Sequence, residues 1–199
     1  ERSKAEGNEM DGDPEVLGES VAIREIELAF SEWGHENGLE DAFEKSAKGR
    51  HGGKAVVVGS SVAGLTAGIR LLWLGWEVEI ISGEHLGLLM AIPDDHLPFE
   101  IAMRPAEQFL RMGGVFTEGW VVSSEEKMQS AKPDGLFTPE EVRQRGDVLI
   151  LAPGTRPRDM EIPGIELDGV IQTIPFLMAE KRKRAGLDFD EIPLRGHRC

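Results

Sequence analysis

The sequence has little cysteine and no long apolar run, and its 22 Lys and Arg residues are outnumbered by 36 Asp and Glu residues. Its one cysteine, Cys199, cannot form a structural disulfide, a Cys-x-x-Cys redox pair or an iron–sulfur cluster within the chain, and no metal site is predicted. No apolar run approaches the length needed to cross a bilayer, and the first residues lack a signal-peptide pattern. We therefore expect a cytoplasmic protein with no membrane span. The formal net charge of −14 argues against a nucleic-acid partner.

The 199 residues suffice to bury a core, and their patterning divides the chain into three parts. Residues 1–18 are acidic and poor in apolar side chains, which predicts a mobile arm. Residues 19–50 are predicted to contain an amphipathic packing helix that ends near Gly34 or Gly38. Its apolar residues recur at three- and four-residue steps, and they are Ile23, Ile26, Phe30 and Trp33. Residues 51–199 carry the strand and helix signals of an α/β domain.

The segment at residues 54–69 predicts a dinucleotide-binding turn. A β-branched run leads into a glycine-punctuated turn and an apolar helix, and a second strand follows Gly75. In such a unit the amides of the turn and the positive end of the helix dipole face the phosphates. Gly59 permits the tight turn, Gly64 permits close packing of the helix, and Ser61 replaces the usual middle glycine. The predicted fold class is α/β, a Rossmann-like FAD/NAD(P)-binding domain with a parallel sheet, preceded by a short helical segment.

The rest of the chain contains four further structural signals. The pattern predicts a helix over residues 98–112 that breaks or restarts at Pro105. Residues 138–141, Thr-Pro-Glu-Glu, are typical of a helix start because a capping residue, a proline and an acid follow in that order. The apolar run at residues 147–152 predicts a buried central strand. The basic run at residues 181–184 predicts a solvated helix end.

Several segments occur in an order typical of one protein family. They are Glu15-Val16-Leu17-Gly18, the turn at residues 59–64, the Gly-Leu-Leu to Leu-Pro segment at residues 87–98, Ala152-Pro153-Gly154, and Ile162-Pro163-Gly164. In these segments the chain resembles the small subunit of glutamate synthase and its relatives among the NADPH-dependent flavin oxidoreductases. The family includes the large subunit of the NADH-dependent ferredoxin:NADP oxidoreductases. The segment at residues 87–98 is the most specific part of the resemblance.

The resemblance implies the FAD-binding portion of an NAD(P)H-dependent flavin oxidoreductase that passes electrons from a nicotinamide through the flavin to iron–sulfur partners. FAD is the implied cofactor, and NADPH or NADH would bind only through a domain outside these residues. The implied partner is an iron–sulfur or glutamate-synthase-like large subunit, and an oligomer is compatible with this interpretation. Residues 19–50 would be a remnant of the family's cluster-binding region, without its ligands, because Glu15 stands where the family has a cysteine.

The resemblance also assigns cofactor-binding residues, whereas no side chain is predicted as a catalytic acid or base. Gly59, Ser60, Ser61 and Gly64 would bind the pyrophosphate, Ser82 or Glu84 the ribose, Gly87, Leu88 and Leu89 the flavin side, and Gly154 would permit a close backbone approach. The sequence departs from the family at four such positions. Ser61 and Leu86 replace glycines, Ser82 replaces an acid, and Pro153 removes a backbone donor.

These departures leave two other hypotheses open. The chain could be a degenerate, non-catalytic subunit or domain that uses the same fold for protein interaction. Alternatively, the glycine turn could bind NAD(P)H directly, since the loss of the ribose acid is compatible with a 2′-phosphate. Residues 194–199 resemble the approach to the family's NADPH domain. We therefore expect either a fragment of a longer polypeptide or a reduced paralogue, inactive alone in either case.

Overall fold

The computed structural model describes residues 22–39, 52–83, 86–122, 135–155, 158, 160–167 and 169–187. The chain divides into two compact units, Glu1–Ala42 and Phe43–Cys199. In the part of the chain that is described, no helix is both long and apolar enough to pass through a membrane.

The first unit contains helix α1, Ile23–Glu36. The predicted helix is confirmed, and it ends between the two glycines that were expected to stop it. Its role in packing stays a prediction, and the apolar side chains that define the stripe are largely exposed. Phe30 is 72% exposed, and Ile23 and Trp33 are also more than half exposed. Helical periodicity shows which side chains share a face, but it does not show whether that face is covered.

The second unit alternates strands and helices. Its elements are β1 Lys54–Val58, α2 Val62–Trp73, β2 Glu77–Ser82, a 3-10 helix at Gly87–Ala91, α3 Phe99–Arg111, β3 Val115–Glu118, β4 Trp120–Val121, β5 Leu136–Phe137, α4 Pro139–Arg143, β6 Val148–Leu151 and α5 Thr173–Arg184.

Four strands form a parallel sheet in the order β3-β2-β1-β6. In the register, Val57 of β1 is opposite Ile80 of β2 on one side and Ile150 of β6 on the other. Strands β4 and β5 form a separate two-stranded parallel ladder. Parallel neighbours require a crossover, which α2 supplies between β1 and β2. A parallel sheet with such helical crossovers is a Rossmann-like α/β domain, as the sequence predicted.

The larger core lies where α2 and α3 pack on the sheet. Phe109 of α3 is fully buried, and its ring fits against Gly68 of α2 and lies 4.9 Å from the ring of Phe116, centroid to centroid. The buried members of this core are Val57, Leu65, Ile69, Leu72, Val78, Ile80, Leu86, Met90, Ala102, Ala106 and Phe109. Burying a large apolar side chain contributes about 1.5–3 kcal/mol, so this layer is the main stabilising contact of the unit.

A smaller core contains Val56, Ile81 and Val142 of α4. The predicted start of α4 is confirmed as a capping box. The Glu141 amide donates to the Thr138 hydroxyl at 3.2 Å, and the Thr138 amide donates to the Glu141 carboxylate at 2.7 Å. These hydrogen bonds lower the pKa of Glu141.

Two expectations from the sequence are corrected by packing. Helix α3 continues through Pro105 without a break, because buried residues on both sides of the proline, Ala102 and Phe109, hold the helix on the core. Strand β6 is at the edge of the described sheet, not at its centre, and Leu151 is 68% exposed. An apolar run shows strand propensity, but it does not show how many neighbours the strand has.

Candidate functional site

The turn between β1 and α2 requires glycine at its first position. Gly59 has φ +101°, and a side chain there would overlap the carbonyl group of Ala152, which follows β6. The Gly59 amide donates to the Ile81 carbonyl oxygen at 2.8 Å, and the Ala152 amide donates to the Val58 carbonyl oxygen at 2.8 Å. The turn is therefore held between the ends of the two strands that flank β1.

The second glycine of the motif brings the helix onto the turn. A Cβ atom on Gly64 would overlap the Gly59 carbonyl group, and it would lie 3.5 Å from Cγ1 of Val57. Only a residue without a side chain fits this contact between two backbones. The structural roles predicted for Gly59 and Gly64 agree with these contacts, whereas their binding of a pyrophosphate stays a prediction.

The N-terminus of α2 opens at the carboxyl edge of the sheet. The Leu65 amide donates to the Ser61 carbonyl oxygen at 2.9 Å, and the amides of Val62, Ala63 and Gly64 come before it in the helix. An α-helix gives its first amides no helical partner, and its dipole makes this end positive. Both Val62 and Ala63 are exposed. We call this region, residues 61–64, the helix mouth, and it is where the sequence predicts that an anion binds.

Two predicted ligand residues, Ser60 and Ser82, contact each other. Ser60 is buried, and its hydroxyl donates to the hydroxyl oxygen of Ser82 at 2.9 Å. This hydrogen bond ties the turn to the end of β2 and directs the Ser60 side chain toward β2. In this arrangement the Ser60 hydroxyl hydrogen is directed at Ser82 and not at a phosphate. Glu84, the other predicted ribose partner, lies outside the described residues.

The loop after β2 begins against the turn. Gly87 has φ +50°, and a Cβ atom on it would lie 3.0 Å from the Cβ atom of Ser61. Leu86 has φ +64°, the left-handed conformation that costs a non-glycine residue about 1–2 kcal/mol. Its side chain is buried in the larger core. The Leu86 side chain therefore points into the core.

The other predicted flavin-side residues differ in accessibility. Leu88 is exposed, whereas Leu89 packs partly buried against the larger core. Gly154 has φ +72° and no atom within 4 Å of where its Cβ would be. Leu88 and Gly154 are therefore accessible to a ligand, whereas the Leu89 side chain packs on the core.

Lys181, which was predicted to be solvated, binds the loop after the 3-10 helix. Lys181 of α5 is only 2% exposed, and its ammonium group donates to the carbonyl oxygens of Ile92 at 2.8 Å and Leu97 at 2.5 Å. The carboxylate of Asp94 lies 3.5 Å from the same group. The prediction of a solvated helix end is wrong at Lys181. One sequence feature could have indicated its burial: Lys181 lies three residues after Met178, on the same helix face, and Met178 packs on the core.

Replacing Lys181 with methionine should lower the free energy of unfolding by about 2 kcal/mol, because hydrogen bonds to charged groups contribute about 1.5–3 kcal/mol. Urea denaturation would measure this loss. Lys183→Met, at an exposed position on the same helix, should change stability by less than about 0.5 kcal/mol. Equal losses in the two variants would contradict the assigned role of Lys181.

Sequence reasoning also missed a buried carboxylate in β2. Glu79 is 4% exposed, and it accepts hydrogen bonds from Thr117 at 2.7 Å and from Nε of Arg145 at 3.1 Å. Lys54 Nζ lies 3.0 Å from its other oxygen. Burial alone would raise the pKa of Glu79, but the hydrogen bonds from Arg145, Thr117 and Lys54 outweigh it and hold the pKa at about 2. The Glu79 carboxylate in turn raises the pKa of Arg145.

This ion cluster is structural and lies away from the helix mouth. Lys54 begins β1 and Arg145 precedes β6, so both cations approach Glu79 from the amino ends of the strands. The guanidinium group of Arg145 also lies 5.2 Å from the ring centroid of Phe137. A carboxylate held this strongly in its charged form is a poor proton acceptor. The cluster therefore ties three strands together and is no candidate for a general base.

A shallow cavity of about 280 Å³ lies at the amino edge of the sheet. Its lining residues are Glu140, Arg143, Gln144, Gly146, Asp147 and Leu149. None of them is a predicted site residue, and in parallel α/β sheets ligands bind at the carboxyl edge. Within the described ranges, no group of three or more His, Cys, Asp or Glu side chains is arranged to hold a metal ion. The helix mouth is therefore the better candidate for a functional site.

Comparison with known proteins shows a distant relationship. No protein-family model matches the chain. The glutamate synthase (NADPH) small chains of two strains of Mycobacterium tuberculosis are each 30% identical to it over 180 residues, which covers 87% of this chain and 34% of the relative. The chain therefore spans about a third of the length of these relatives. It is a distant relative of an oxidoreductase subunit.

Proposed function

We propose that this chain is the FAD-binding portion of an NAD(P)H-dependent oxidoreductase resembling the glutamate synthase small subunit. The observation that carries the proposal is the helix mouth, where Gly59 and Gly64 allow a contact that no other residue permits. Backbone amides at such a terminus match the charge and size of a pyrophosphate. The relationship to the glutamate synthase small chains supports the same reaction class.

In this proposal the dinucleotide crosses the carboxyl edge of the sheet. The pyrophosphate lies at the helix mouth, and the adenosine ribose lies at the end of β2, beside Ser82. The flavin side lies along the loop that contains Gly87 and Leu88, with Gly154 allowing a close backbone approach. The chain's own residues bind and orient the cofactor, and none of them is assigned as an acid or base.

When bound, FAD would supply hydride acceptance and single-electron transfer. The nicotinamide would bind on a domain outside these residues, and the electrons would leave toward an iron–sulfur or glutamate-synthase-like large subunit. The formal net charge of −14 favours a partner with a basic docking surface. We further propose that the chain acts in the cytoplasm and is inactive without that partner.

A second candidate function is a non-catalytic interaction module with the same fold. The observation that favours it is the hydrogen bond between Ser60 and Ser82, which engages the two hydroxyl groups nearest the predicted ribose site. The left-handed backbone conformation of Leu86, at a position where the family has glycine, also favours the interaction module. A module of this kind would keep the sheet and helices but retain no flavin.

The purified 199-residue chain should retain FAD or bind it when added. At a concentration of FAD about 100 times its Kd, binding should stabilise the fold by about 2.7 kcal/mol and raise Tm by about 5–10 °C. Visible absorbance and differential scanning fluorimetry would measure both effects, with NADPH titrated in parallel. A colourless protein whose Tm does not respond to FAD would contradict the proposal and favour the interaction module. A response to NADPH alone would favour direct nicotinamide binding.

A further inference from the structure

Trp120 is positioned by the backbone at the end of β2. Gly119 donates its amide hydrogen to the Ser82 carbonyl oxygen at 3.1 Å, which continues the pairing of β3 with β2. The next amide, that of Trp120, donates to the Gly135 carbonyl oxygen at 2.7 Å. The backbone of Trp120 is thus held between the end of β2 and the start of β5.

The indole ring of Trp120 lies against Gly83. A Cβ atom added to Gly83 would overlap the Cδ2, Cε2 and Nε1 atoms of the indole at once. Contact with three atoms of the five-membered ring means that the ring lies across the Cα atom of Gly83. Trp120 is nevertheless 48% exposed. The glycine backbone therefore covers one part of the ring, and a large apolar surface is left in water at a substantial free-energy cost.

This exposed ring is next to the place where a dinucleotide puts its first base. In Rossmann-like domains the residue at the end of the second strand contacts the adenosine ribose, and here that residue is Ser82. Gly83 follows it directly and is covered by the indole, so a base attached to that ribose would meet the outer surface of the Trp120 ring. Every nucleobase has a flat aromatic face that stacks on an indole.

We infer that the exposed face of Trp120 stacks on the adenine base of the bound dinucleotide and that Gly83 is required to seat the indole there. This inference rests on the proposed function, since it assigns a residue to the same site. It also explains why a glycine follows Ser82, because any side chain at that position would displace the ring. Trp120 is thus a binding residue for the adenosine half and takes no part in the redox chemistry.

Titration of the full chain with FAD and, separately, with ADP tests the inference. Trp120→Ala should weaken both ligands roughly 10-fold to 100-fold, since an aromatic stack under a base is worth about 1–3 kcal/mol by alanine substitution. Trp120→Phe, which keeps a smaller aromatic face, should weaken them less than about 5-fold. Leu110→Ala removes an apolar side chain of comparable exposure from the carboxyl end of α3 and should leave both affinities unchanged.

A double-mutant cycle with Gly83→Ala separates stacking from a general loss of structure. Gly83 does not have positive φ, and the three atoms nearest to an added Cβ all belong to the indole. Gly83→Ala should weaken ADP binding about as much as Trp120→Ala, and it should have no further effect when Trp120 is already alanine. Additive losses in the double variant would overturn the seating role of Gly83. Thermal denaturation would confirm that each variant is folded.

The outcomes distinguish this inference from the proposed function. If the wild-type chain binds FAD and Trp120→Ala binds it equally well, the stacking inference is wrong and the flavin proposal stands. If ADP binds through Trp120 but FAD does not bind, the flavin proposal fails and the stacking inference stands. If the wild-type chain binds neither FAD nor ADP, both are wrong.

Discussion

Gly64→Ala should destabilise the chain by about 3 kcal/mol and abolish FAD binding. The added methyl group would overlap the Gly59 carbonyl group, and neither backbone can move without separating α2 from β1. Overpacking of this kind costs about 1–3 kcal/mol even where side chains can adjust, and here both partners are backbone. The same displacement would tilt the first amides of α2 away from the pyrophosphate. Urea denaturation and FAD titration would measure the two losses.

Gly68→Ala is the matched control, because it adds the same atom to the same helix one turn later. Its Cβ would lie 3.0 Å from the Phe109 ring and 3.2 Å from a methyl group of Ile80, both of which are side chains that can shift. The gain in helix propensity, about 1 kcal/mol, should offset that strain. We expect a net change within about 1 kcal/mol and unchanged FAD binding. Equal destabilisation by Gly64→Ala and Gly68→Ala would show that the contact with Gly59 has no special role.

Acid should remove about 3 kcal/mol of stability between pH 4.5 and pH 2 through Glu79 alone. Its pKa falls from 4.5 in the unfolded chain to about 2 in the fold, and each unit is worth about 1.4 kcal/mol. Because the folded pKa is depressed, the unfolded chain binds the proton first as pH decreases. The contribution is therefore complete above pH 4.5 and is lost as pH falls toward 2. Denaturation across this range would measure it.

Glu79→Gln should remove this pH dependence and lower stability at neutral pH by about 3 kcal/mol. Breaking a buried ion pair costs about 3–5 kcal/mol, and the lower end applies because Arg145 and Lys54 are each more than a third exposed and can be rehydrated. Glu77→Gln, at an exposed position of the same strand, should change little. If Glu79→Gln leaves the acid profile of the wild-type chain unaltered, the ion cluster does not stabilise the fold.

The turn shows how far local sequence could predict the candidate site. Gly59 and Gly64 were predicted from their spacing, because a tight turn and a close helix contact each exclude side chains regardless of the rest of the fold. Ser60 and Ser82 were predicted as ligands, but their side chains meet across the turn. Residues 22 positions apart contact each other only through the pairing of β1 with β2, which no local pattern encodes.

Buried charges were the least predictable feature. Glu79 stands in a strand with apolar neighbours on both sides, and Lys181 begins a run of four basic residues. Their partners come from distant segments: Arg145 is 66 residues from Glu79, and Ile92 is 89 residues from Lys181. Side-chain type alone favours solvent for both residues. Only the folded chain supplies the hydrogen bonds that compensate for burying them.

Hydrophobic periodicity, glycine spacing and the Thr-Pro-Glu-Glu sequence by themselves determined the α/β class, the turn at Gly59 and the capping box of α4, since each depends on interactions within a few residues. The tertiary structure decided which strand lies at the sheet edge, the direction of the Leu86 side chain, the pairing of Glu79 and the seating of Trp120 on Gly83. These features depend on contacts between segments far apart in the chain, and the free energy of such contacts is set by three-dimensional packing and by the removal of water.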